Sequence, residues 1–90
     1  MTPAVALNLL RKALAAGTID VRPHAEQQVE AAGYSRALIF VELNVAAQRG
    51  TVGRNASHPA RALAYGNILT LSFVRGEDGV VVVTVWVQER

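Results

Sequence analysis

The chain has 90 residues, 51% of them hydrophobic and 18% charged, with a formal net charge of +2 and no cysteine. That length supports one core rather than two, and so apolar a composition excludes a disordered chain. The absence of cysteine removes disulfide scaffolds, thiolate zinc sites and cysteine nucleophiles, and two histidines, His24 and His58, are too few for a three-histidine metal site.

A first helix is expected from Thr2 as N-cap and Pro3 as first helical residue, ending at Gly17. Its apolar rows are Val5, Leu9, Ala13 and Ala6, Leu10, Leu14. Arg11 and Lys12 follow the apolar run instead of preceding it, the reverse of a secretory signal, and the run is too short to cross a bilayer. A cytoplasmic location with no membrane segment is therefore expected.

A short extended piece over residues 18–21 leads to a second helix over residues 23–32, with Ala25, Val29 and Ala32 inward and Gly33 as its stop. Ser35 is expected to cap a third helix reaching about Gln48 and ended by Gly50. That helix is apolar nearly all round, which implies burial or a covering partner. Residues 51–60 read as a polar loop with room for a short strand over 51–54.

Strands are expected over residues 61–65, 68–75 and 80–88, joined by a Gly66-Asn67 turn and a turn over 76–79. The unbroken Val80-Val81-Val82-Val83 run suggests a central strand covered on both faces. The predicted architecture is α+β: three N-terminal helices packed on one face of a three- to four-stranded antiparallel sheet. It forms one domain over residues 1–90, with the first helix in 1–17 and the remainder in 18–88.

A two-residue turn pairs Tyr65 with Ile68, Leu63 with Thr70 and Arg61 with Ser72. One face then carries Arg61, Leu63, Tyr65, Thr70 and Ser72, and the other carries Ala62, Ala64, Leu69, Leu71 and Phe73 as the core. A clean loop before the last strand puts Thr84 and Trp86 on the core face; a bulge puts them on the open one.

The sequence contains no Gly-rich phosphate loop, no metal-ligand cluster and no hydrolase elbow, so neither cofactor nor metal is expected. Eight of the nine basic residues are arginine, whose planar fork suits phosphate, although surface ion pairs explain the same composition. His24 sits at an expected helix start beside Arg22, where the helix dipole favours the neutral imidazole of a general base; a structural histidine is the plainer alternative. His58 lies in the polar loop near Arg54 and Arg61. Arg61 is either a phosphate clamp or a partner of Glu77 or Asp78. Tyr34 and Tyr65 are either base-stacking or core-rim residues, and Trp86 is expected in the core.

Val21-Arg22-Pro23-His24-Ala25-Glu26-Gln27-Gln28 opening one helix, and Gly33-Tyr34-Ser35 opening another, resemble an uncharacterised bacterial family, domain-of-unknown-function family 4258. The ending Val83-Thr84-Val85-Trp86 resembles its last strand, and the likeness spans roughly residues 18–87. A looser resemblance extends to RelE- and BrnT-like toxins, on the stretch from Arg61 to Gly66. The resemblance implies the barnase–EndoU–colicin–RelE fold, whose members include metal-independent ribonucleases held by partner antitoxins. It carries over His24 as signature histidine, Arg61 as phosphate-binding arginine and Thr84 as the polar residue of the last strand. Gln28 and Ala32 stand where the family places arginines.

Two functions follow as expectations. One is a toxin-like, metal-independent endoribonuclease with His24 as base, Arg61 as clamp, His58 as acid and Thr84 beside them. Arg22, Arg54 and Tyr65 would bind RNA, and a cognate antitoxin or immunity protein would be the partner. The other is a non-catalytic interaction domain, forming a homodimer or binding a partner through the apolar third helix or a sheet edge.

Overall fold

A computed structural model describes residues 1–88. The chain begins with α1 (Pro3–Ala16). Thr2 accepts a hydrogen bond from the Val5 N–H (3.3 Å), Pro3 occupies the first turn, and Gly17 closes the helix in the left-handed region at φ 71°. Ala6, Leu10 and Ala13 form its buried stripe. After β1 (Ile19–Val21) comes α2 (Pro23–Ala31), which buries Ala25 and Val29. Ala32 is not an inward residue: it is the exposed C-cap, because the helix ends a residue earlier than its apolar spacing suggests.

The third helix, α3 (Ala37–Arg49), is not capped by Ser35. Its N-cap is Arg36, and Ser35 contributes its carbonyl to the Leu38 N–H. Nor is the helix buried all round. Ile39, Leu43, Ala46 and Ala47 face the core, while Val41 is 55% exposed. The sheet and α1 together cover one stripe, so the apolar composition of α3 does not require a partner.

Strands β2 (Val52–Arg54), β3 (Arg61–Tyr65), β4 (Leu69–Arg75) and β5 (Val80–Val87) complete a five-stranded sheet in the order β1-β5-β4-β3-β2. The expected all-antiparallel meander is corrected here: β1 lies parallel to β5, pairing Ile19 with Val80 and Val21 with Val82. Three residues suffice for this edge strand because Ile19 and Val21 add to the core while their backbone groups engage Val80–Val82. β5 is therefore central, but only one of its faces is fully covered: Val80 and Val82 are buried, whereas Val81 and Val83 are half-buried.

All three helices lie on the face formed by Ala62, Ala64, Leu71, Phe73, Val82 and Val85. The expected partition of the β3–β4 hairpin into two faces holds, although its register does not. Tyr65 pairs with Thr70, Leu63 with Ser72 and Arg61 with Val74, two residues beyond expectation. An even shift preserves the faces.

The cause of the shift is Glu42. Its carboxyl group, 1% exposed in the middle of α3, accepts from the backbone N–H groups of Asn67 (3.0 Å), Ile68 (2.5 Å) and Leu69 (2.6 Å). The turn is thereby held around Asn67-Ile68, with the Gly66 N–H donating to Leu69 O. Gln88 closes it from the other side, donating to Gly66 O and Leu69 O.

Between β4 and β5 the register steps at Ser72/Phe73, leaving Val83 as the extra residue of a bulge. Before it Val82 pairs with Phe73; after it Thr84 pairs with Ser72 and Trp86 with Thr70. Thr84 and Trp86 consequently stand on the open face.

Candidate functional site

The open face is a sheet surface without a helix, bordered by the loop between β2 and β3. That loop is shaped by Asn55, whose Oδ1 accepts from the N–H groups of Ser57 (3.1 Å) and His58 (3.2 Å). Such an Asx turn fixes the backbone locally. His58 O then accepts from the Arg61 N–H (2.9 Å), so His58 is tied to the start of β3. The amino group of Met1 donates to Pro59 O (2.7 Å), holding the same loop against the start of α1.

His58 and Arg61 line an open cleft of about 470 Å³ together with Thr84 and Trp86. Leu63 and Ser72 form part of the same lining. Ser72 is 1% exposed, and its hydroxyl has no hydrogen-bond partner among the described residues. A buried hydroxyl without a partner is uncommon. The described lining therefore offers one imidazole, one guanidinium and several hydroxyls, with no carboxylate.

Arg61 does not form the ion pair weighed from its sequence. Glu77 and Asp78 line a different groove, at the β4–β5 turn, with Arg22 and Arg75. Among the described residues the one side-chain ion pair is Arg36–Glu26 at 3.4 Å.

The other sequence-selected residues separate into three places. His24 is exposed on the first turn of α2, which packs against β5 from the helix side, so it does not share the cleft with His58 and Arg61. Arg22 belongs to the groove at the β4–β5 turn, and Arg54 to one with Met1, Thr2 and Pro59. Tyr65 is on the open face, farther along β3, and Tyr34 is 39% exposed after α2.

Trp86 corrects the expectation of a core residue, being 44% exposed. The signal that would have found it was the bulge alternative, which inverts the face at Thr84 and Trp86. Strand alternation places Ser72 on the open face but does not mark it as a site residue, and nothing local marks Asn55: their roles arise from cross-strand pairing and loop closure. No group of three or more acidic or histidine side chains able to hold a metal occurs among the described residues. No helix of the described residues is long and apolar enough to cross a membrane.

No protein-family model, curated protein or solved structure matches the chain.

Proposed function

We propose that the open face of the sheet binds RNA and that the cleft holding His58, Arg61 and Thr84 cleaves it by attack of the ribose 2′-OH. The observation that supports this most is convergence. His58 and Arg61, read from their residue types, and Thr84, carried over by the resemblance, line one cleft over the Ser72 hydroxyl, which has no partner among the described residues.

His58 is the base in this reading, in place of His24, which lies on the helix side. An imidazole takes the 2′-OH proton, and the 2′-oxygen attacks the adjacent phosphorus. The bond from phosphorus to the 5′-oxygen breaks, and that oxygen leaves with a proton from water, which the open cleft admits; the hydroxide left behind takes the proton from the imidazolium and restores neutral His58. The products are a 2′,3′-cyclic phosphate and a 5′-hydroxyl. Arg61 and the Thr84 hydroxyl face the non-bridging oxygens, where charge develops in the transition state.

The test is incubation of the purified protein with single-stranded RNA in EDTA, beside His58→Ala and His24→Ala. Wild type and His24→Ala are expected to yield cyclic phosphate ends, and His58→Ala to lose about 10²- to 10⁴-fold in rate. Cleavage by His58→Ala at the wild-type rate, or no cleavage by wild type, would overturn the assignment. Arg61→Ala is expected to bind RNA with a salt slope shallower by about one, the signature of one lost phosphate contact.

A further inference from the structure

Beside the cleft just described, and sharing Trp86 with it, lies a second one. Tyr65 and Trp86 both line it, Thr70 lies between them, and Arg49 contributes from the end of α3. Tyr65, Thr70 and Trp86 occupy one cross-strand row, Tyr65 on β3, Thr70 on β4 and Trp86 on β5. Two strand spacings separate the aromatic residues, about 9.5 Å at the backbone. Thr70 is 4% exposed, whereas Tyr65 and Trp86 are 41% and 44% exposed. The row is therefore a polar floor between two raised aromatic walls.

We infer that this second cleft is a nucleobase subsite, taking an unpaired base of the single-stranded RNA whose phosphate lies at Arg61 and His58. The inference rests on the function proposed above and names the form of its substrate. Three features support it. The aromatic surface left in water is large for a chain with five aromatic residues in all. One wall is held in place by its neighbours: the Tyr65 ring lies over Gly53, where an added Cβ would stand 3.4 Å from Cε2, and the Tyr65 backbone bonds twice to Thr51. Positive charge is in place at both ends of the face. Arg49 is anchored through the Asn67 side chain (2.6 Å) with other donors left for phosphate, and Arg61 opens β3 at the opposite end of that strand from Tyr65, lining the first cleft with Trp86.

Bases stacked inside a duplex cannot reach such walls, so the fit is to a single strand. A strand crossing the sheet would set one base against Trp86 and Tyr65 and place the neighbouring phosphate over the catalytic cleft.

Trp86 is the chain's only tryptophan, so its fluorescence reports the subsite directly. The probe is a 2′-O-methyl hexanucleotide, which lacks the attacking hydroxyl and cannot be cleaved by the proposed route. Single-stranded probe is expected to quench Trp86, and the same probe in a duplex is expected to leave it unchanged. Tyr65→Ala should weaken binding about 10-fold, and Tyr65→Phe, which keeps the ring, should restore it. Quenching with no cleavage of ordinary RNA would uphold the subsite and overturn the catalytic assignment. Cleavage with no quenching would overturn the subsite alone. Equal quenching by duplex, or equal affinity of Tyr65→Ala and wild type, would also overturn it.

Discussion

Glu42→Leu should lower the stability of this domain more than any surface substitution, by about 3 kcal/mol, because three backbone donors, one buried and two partly buried, lose their acceptor together. For a domain of this size that corresponds to a fall in Tm on the order of 15 °C. The carboxyl group of Glu42 is almost fully enclosed, and the N–H groups of Asn67, Ile68 and Leu69 all point at it. Leucine fits the apolar stripe of α3 but offers those donors nothing. Gly66 is part of the same arrangement: a Cβ there would stand 2.6 Å from both Cδ and Oε2 of Glu42. Gly66→Ala alone must push the carboxyl group from the turn. In a Glu42→Ala background the two 2.6 Å approaches are gone and only the 2.9 Å approach to the Cβ at position 42 is left, so the two changes should couple by about 0.5–3 kcal/mol, with the double variant less damaged than the sum. Thermal melts of the four proteins decide it, and simple additivity would show that Glu42 does not hold the turn.

The same residue shows what a sequence conceals. Reading α3 by its apolar content identifies the helix and hides the acid in its buried stripe. Glu42 lies three residues after Ile39 and one before Leu43, and that position was the available signal. Local chemistry was legible where it acts locally: Thr2, Pro3 and Gly17 delimit α1, and two-residue alternation assigns the faces of β3 and β4. Pairings over long separations were not. β1 adds itself in parallel to a strand about 60 residues away through backbone hydrogen bonds, which leave no residue pattern to read. The site divides likewise. His58 and Arg61 could be selected by residue type and Thr84 by resemblance, and the helix start at Pro23-His24 was legible too. Which of them meet depends on the side of the sheet that α2 covers and on the bulge in β5, and neither is a local property.

Replacing Gln28 tests what fixes that bulge. Two registers compete in β5. A regular strand would keep Val80, Val82, Thr84 and Trp86 on one face, whereas the bulge keeps Val80, Val82 and Val85 in the core and turns Thr84 and Trp86 outward. β1 pairs with Val80–Val82, and the Arg22 N–H reaches Val82 O (3.0 Å). Farther along that side, the Val85 N–H donates to Oε1 of Gln28 (2.8 Å), a side chain from α2 standing where another strand would stand. This bond forms only with Val85 in the bulged register. Gln28→Leu leaves a partly buried donor unpaired, so a loss of about 1–3 kcal/mol is expected. The Val85 amide should exchange faster, and Trp86 emission should move to shorter wavelength as the regular register becomes populated. Gln28→Glu retains an acceptor oxygen and should keep wild-type emission. RNA binding should fall with the fraction of chains that turn Trp86 inward, linking a residue of the helix layer to the opposite face of the sheet. Unchanged Val85 exchange and stability in Gln28→Leu would mean that packing of Val85 alone selects the bulge.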